Sequence, residues 1–132
     1  MRISSDASAH SYHIYIFRFC EEEFGLERGL FLEALSKEGI LCAAGYAHPL
    51  YRNPMFLSQD FYPRGCPITC AHYGSSMDYA AFAALCPNAE KACQEAVWLE
   101  HRQLLGRQDD MDDIVAAVEK IYQGRHQLRK GL

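Results

Sequence analysis

The sequence predicts an α+β fold, with helices layered over a small sheet of about three strands. The expected order is strand, helix, strand, long loop, helix, strand, helix. Three observations carry this. Short segments alternate or run apolar with β-branched and aromatic residues, as strands do, and longer ones repeat apolar residues at helical spacing. Glycines also fall where the helical runs stop. At 132 residues the chain has the length of one domain.

Residues 1–11 form an N-terminal arm, and residues 12–124 a single α+β domain. Tyr12–Cys20 sets His13, Tyr15, Phe17 and Phe19 on one side and Ile14 and Ile16 on the other. That pattern predicts a central strand covered on both faces. Glu21–Glu23 follows as a solvated acidic turn. From Leu26 to Glu38, Leu26, Leu30, Phe31, Ala34 and Leu35 trace one helical stripe, and Gly39 stands where a left-handed cap belongs. Ile40–Tyr46 is short, small and apolar, a second buried strand.

Residues 47–86 form a long aromatic-rich loop broken by Pro49, Pro54, Pro63 and Pro67. Its length argues for short helices within it, near Asn53–Leu57 and Asp78–Leu85. Pro87 suits a first helical position, and Ala89, Ala92, Cys93, Ala96 and Val97 make one apolar stripe after it. Trp98–Leu105 fits either an extension of that helix or a third strand, and Gly106 ends it. Asp109, Asp110, Asp112 and Asp113 load the N-terminus of a last helix with negative charge, which its dipole favours. Ile114, Val115, Val118, Ile121 and Tyr122 are its buried face, Gly124 its stop, and 125–132 a basic, frayed tail.

Composition narrows the function. A net charge of −4 argues against a nucleic-acid binder, which needs a basic face. No apolar run approaches the ~20 residues of a membrane span, and MRISSDASAH lacks the apolar centre of a secretion signal. The expected location is therefore the cytoplasm, where the six cysteines stay reduced. Cys20, Cys42 and Cys93 sit in apolar patterns and read as small core hydrophobes. Cys66, Cys70 and His72 have a proline inside an irregular spacing and no second ligand pair, so no metal is expected.

No nucleophile elbow, phosphate-cradling glycine loop or HExxH pattern occurs. His101 has the chemistry of a general base, but a single histidine on a half-apolar strand is more often a hydrogen-bonded structural residue. The densest polar-aromatic cluster is GYAHPLYRNP, with Tyr46, His48, Tyr51 and Arg52. Rings, an imidazole and a guanidinium around two prolines suit recognition of a polyhydroxylated or anionic small molecule. The alternative is a loop packing its own aromatics, with Arg52 in solvent. The two readings stand side by side.

The run YHIYIFRF, a helix ending KEGI, then GYAHPLYRNPMF, CPNAEKACQEAVWLEHRQLLG and DMDDIVAAVEKIY, taken together, resemble the C-terminal portion of the DegT/StrS family. These are pyridoxal-phosphate (PLP) aminotransferases of keto sugars and cyclitols, and PLYRNP and WLEHRQLLG are most similar to the scyllo-inosose branch. Glu100 departs from the family, which usually has proline there. The resemblance implies a small domain like that of fold-type-I aminotransferases, whose lysine and PLP contacts lie in a large N-terminal domain. None of Lys37, Lys91, Lys120 and Lys130 matches that lysine. The resemblance thus implies no catalytic or cofactor-binding residue in this chain and no activity alone. Only the loop Gly45–Arg52, which holds Tyr46, His48, Tyr51 and Arg52, matches a segment that approaches the active-site mouth in relatives, and Gly45 stands where many of them have a histidine. The expected partners are a second copy, as in a homodimer, or a separate PLP-binding large domain. A sugar or cyclitol is the expected ligand. The rival expectation is a stand-alone oligomerisation or small-ligand-binding module without enzymatic activity.

Overall fold

A computed structural model describes residues 12–58, 72 and 77–129. They divide into two compact units, one of residues up to Gly45 and from Glu95 onward, the other Tyr46–Gln94. In chain order the elements begin with strand β1 (Ile14–Arg18), helices α1 (Glu21–Phe24) and α2 (Arg28–Lys37), and strand β2 (Cys42–Ala43). After them come α3 (Pro54–Ser58), α4 (Phe82–Leu85), α5 (Pro87–Glu95), strand β3 (Ala96–Glu100) and α6 (Gln108–Leu128). The fold is α+β with a three-stranded antiparallel sheet, as the residue patterns predict.

The strand order is β1-β3-β2, so the last strand in sequence is the central one. β3 pairs with β1 from Ile14↔Glu100 to Arg18↔Ala96, and with β2 at Cys42↔Leu99 and Ala43↔Trp98. The expectation of a central strand at Tyr12–Cys20 is therefore corrected. β1 lies at an edge, and Ile16, on the face away from the core, is 46% exposed. An edge strand and a central one carry the same alternation; what separates them is the second set of hydrogen-bonding neighbours, which among the described residues only β3 has.

Pleating sends Phe17, Val97, Leu99 and Cys42 to the face that meets α2 and α6. The core there is Phe19, Leu26, Phe31, Leu35, Val97, Leu99, Ala117 and Ile121. Phe31, Leu35 and Val97 are sealed completely, each worth roughly 1.5–3 kcal/mol of transfer free energy. The rings of Phe19, Phe24 and Phe31 meet one another with centroids 4.4 to 5.2 Å apart.

Local chemistry fixes the ends of the elements. Glu21 Oε1 accepts the Arg28 N–H at 2.8 Å, so the acidic turn doubles as the cap of α2. Gly39, at φ 89°, closes α2 as its place in the sequence predicts. Asp110 Oδ2 accepts the Arg107 N–H at 2.6 Å, and Asp109 and Asp110 occupy the first turn of α6, as expected from the acidic run.

Several boundaries differ from expectation. The second strand is Cys42–Ala43 alone, half-buried and exposed rather than a buried run over Ile40–Tyr46, because β3 pairs with it at those two residues. Ala96 and Val97 leave the helical stripe for β3, because Val97 is buried opposite Phe17. Trp98–Glu100 is strand, and His101–Leu105 is a 3-10 helix. The last helix does not stop at Gly124 but runs to Leu128. Arg125 lies over the Tyr122 ring at 3.9 Å and donates to the Tyr122 carbonyl, bracing the helix across its glycine. Cys20, Cys42 and Cys93 are half-buried thiols rather than sealed core residues.

The Tyr46–Gln94 unit holds a 3-10 turn at Leu50–Arg52, then α3, α4 and most of α5. The short helices lie where the loop's length demanded them, and Pro87 opens α5. Tyr51 stacks on Phe82, Phe82 on Tyr79, and Tyr79 tilts against Phe56, with centroids 5.4 to 6.0 Å apart. Cys66 and Cys70 lie outside the described residues, and His72 is exposed. Among the described residues no helix is long and apolar enough to cross a membrane.

Candidate functional site

GYAHPLYRNP folds into tight turns because its prolines fix φ and its asparagine accepts backbone N–H groups. Arg52 N–H closes on the Pro49 carbonyl and Asn53 N–H on that of Leu50, each at 2.9 Å. Asn53 Oδ1 then takes the Met55 N–H at 3.0 Å and starts α3. The turn presents two neighbouring side chains to one acceptor. Tyr51 Oη and Arg52 Nε both donate to Glu90 Oε1 on α5, each at 2.8 Å.

This latch sets the chemistry of both donors. Desolvation first, and then the Glu90 carboxylate, push the Tyr51 phenol up to about 12. Tyr51 is thus a neutral hydrogen-bond donor at physiological pH, not a base. Arg52 spends its Nε on Glu90, and its terminal nitrogens carry no hydrogen bond among the described residues. Arg52 and His48 line an open hollow of about 500 Å3 with Leu57 and Ala80. A guanidinium and an imidazole on partly apolar walls suit an anion or a hydroxyl-rich molecule.

The predicted cluster therefore divides. His48 and Arg52 share the hollow, Tyr51 braces Arg52 through Glu90, and Tyr46, 74% exposed, is not among the described residues that line it. Glu90 is the member that sequence reasoning missed. On an amphipathic helix it looks like any solvent-facing acid, and only the fold brings it to a loop 38 residues away. His101 is exposed at the start of its 3-10 helix and lines neither hollow, which leaves the general-base reading without support. The second hollow, about 370 Å3, lies in the sheet-bearing unit against Glu21, Glu22 and Glu27, with Arg129 at its rim.

PLP requires a lysine for its aldehyde and donors for its phosphate. Lys37 pairs with Glu33 at 2.6 Å and Lys120 with Glu38 at 2.7 Å, both on exposed helix surfaces. Lys91 is exposed on α5, and no lysine lines the hollow of His48 and Arg52. The described residues do not fit that cofactor.

No protein-family model matches the chain, and no solved structure does. Two curated proteins do. Both are named "Putative L-glutamine:3-amino-2,3-dideoxy-scyllo-inosose aminotransferase", one from Streptoalloteichus tenebrarius and one from Micromonospora echinospora. Each is 32% identical, over 123 and 121 residues respectively, covering 89% of this chain. The chain spans only 28% of the length of either. It is thus related in sequence to these two proteins, as a counterpart of their C-terminal part.

Proposed function

We propose that these residues form the small domain of a DegT/StrS-type, PLP-dependent aminotransferase acting on a keto-cyclitol or keto-sugar. One observation carries the reading: 32% identity along 89% of the chain to relatives named for that reaction. In this reading the chain positions substrate and a lysine-bearing large domain supplies the cofactor chemistry. His48 and Arg52 contact the substrate, Tyr51 holds Arg52, and Tyr46 flanks the loop. By themselves these residues do not transaminate. The test is gel filtration of the protein after incubation with PLP, followed by assay with L-glutamine and scyllo-inosose. No retained PLP absorbance and no amino transfer are expected; either one, if found, overturns the proposal. Titration calorimetry with scyllo-inosose tests the loop. Heat that vanishes in Arg52→Ala is expected, and no heat with the native chain removes the ligand assignment.

A second reading, self-association, is favoured by the sheet face opposite the core. Ile16 there is 46% exposed, as is Leu41 beside β2. Exposed apolar residues at both edges of the sheet favour an interface. Light scattering at high concentration is expected to give a dimer mass, and a monomer mass counts against it.

A further inference from the structure

Among the described residues, all eight of the buried core lie outside Tyr46–Gln94. The described part of that unit is held instead by the ring series Phe56, Tyr79, Phe82 and Tyr51 and by the Glu90 latch. Exposed or half-buried contacts of this kind stabilise a segment far less than a sealed core does.

The neck through which the chain leaves and re-enters is fastened entirely within the sheet-bearing unit. Arg28, on α2, donates one Nη1 to two carbonyls, that of Ala44 at 3.4 Å and that of Ala96 at 3.0 Å. These residues flank the two crossings, Gly45 on one side and Glu95 on the other. Glu95 is tied down twice more, its carbonyl by the Phe19 N–H at 2.7 Å and its carboxylate by Arg18 Nε at 2.6 Å. At the other crossing Gly45 lies so close to the Trp98 ring that a Cβ would meet it at 2.6 Å.

We propose that the described part of the inserted Tyr46–Gln94 unit, with α3, α4 and α5, opens separately, fastened at its neck by Arg28, and unfolds and refolds while the sheet and its helices stay intact. The neck keeps loss of structure in the insertion from spreading into β2 and β3. The inference goes beyond the aminotransferase reading and does not depend on it. It also gives His48 and Arg52 a property of their own: a ligand in their hollow binds only the closed insertion and so raises its stability by mass action.

Native-state hydrogen exchange of the full chain in rising denaturant, read by mass spectrometry, tests this. Amides of α4 and α5 are expected to exchange through an opening that appears at lower denaturant than any opening of β3, α2 or α6. Complete absence of protection in α5 of the native chain means that no closed insertion forms, and it overturns the proposal. Glu90→Ala, which removes both latch bonds, is expected to speed exchange in α5 by about tenfold or more while α2 and α6 keep their rates. Phe82→Ala is expected to show the same contrast through the rings. In Arg28→Met, β2 and the first residues of β3 are expected to join the opening. Loss of protection in α5 and β3 at the same denaturant concentration overturns the proposal. So does a Glu90→Ala and Phe82→Ala pair that speeds α2 and α6 as much as α5, or leaves α5 unchanged.

Discussion

Gly45 offers the sharpest test of the packing on the open side of the sheet. Its φ of 73° lies in the left-handed region, where a side chain costs about 1–2 kcal/mol. A Cβ there would lie 2.6 Å from Trp98 Cε2, 2.7 Å from Nε1 and 2.9 Å from Cζ2. Those separations are below van der Waals contact on three atoms of one rigid ring, so the indole or the strand must move. Overpacking of that kind adds roughly 1–3 kcal/mol. Gly45→Ala is therefore expected to cost on the order of 2–5 kcal/mol, a large part of a small domain's stability. Gly39→Ala isolates the backbone part: its φ is 89°, but nothing lies within 4 Å of a Cβ, so about 1–2 kcal/mol is expected. Gly124→Ala, mid-helix in open space, is expected to stabilise by roughly 0.5–1 kcal/mol. Urea unfolding followed by circular dichroism ranks the three. Trp98, the single tryptophan, reports the Gly45 contact directly through its emission. A Gly45→Ala midpoint no lower than that of Gly39→Ala refutes the steric argument.

Other substitutions probe other levels of the structure. Phe31→Ala empties the middle of the aromatic core and is expected to cost about 3–5 kcal/mol in urea unfolding, against no resolvable change for the exposed Lys37→Ala. Gln103 extends the pairing of β2, accepting the Leu41 N–H at 2.9 Å and donating to the Leu41 carbonyl at 2.5 Å. Gln103→Ala is therefore expected to cost roughly 1–3 kcal/mol, seen as a lower urea midpoint. The Tyr51 phenol rises from an ordinary 10 to about 12, so the folded state holds its proton more tightly than the unfolded one. Its contribution is complete below pH 10 and is lost as pH rises toward 12, and Tyr51→Phe is expected to flatten that part of the stability profile. Phenolate absorbance that titrates Tyr51 with the bulk tyrosines would refute the latch.

Helix α2 was legible because its stripe from Leu26 to Leu35 faces one core and Gly39 stops it, both local facts. The acid-loaded start of α6 was legible for the same reason. What failed depended on partners far along the chain. β1 read as central because aromatic and β-branched residues line both its sides, yet the second neighbour went to β3. Val97 fitted a helical stripe until burial opposite Phe17 drew it into a strand. Gly124 should end a helix on propensity alone, but Arg125 on the Tyr122 ring carries α6 past it. In the candidate site, the loop residues could be named from sequence, while Glu90, which organises two of them, could not.

Helix α5 ends at Glu95 and strand β3 begins at Ala96, with no residue between them. The joint has no slack to absorb a change in length. One residue inserted or removed there would turn every β3 side chain to the opposite face, taking Val97 and Leu99 out of the core and driving Trp98 into it. The central strand is thus indexed to the helix before it. Length variation inside Ala96–Glu100 breaks the pairing with β1 in the same way, and a one-residue deletion there is expected to be more damaging than the loss of any single core side chain.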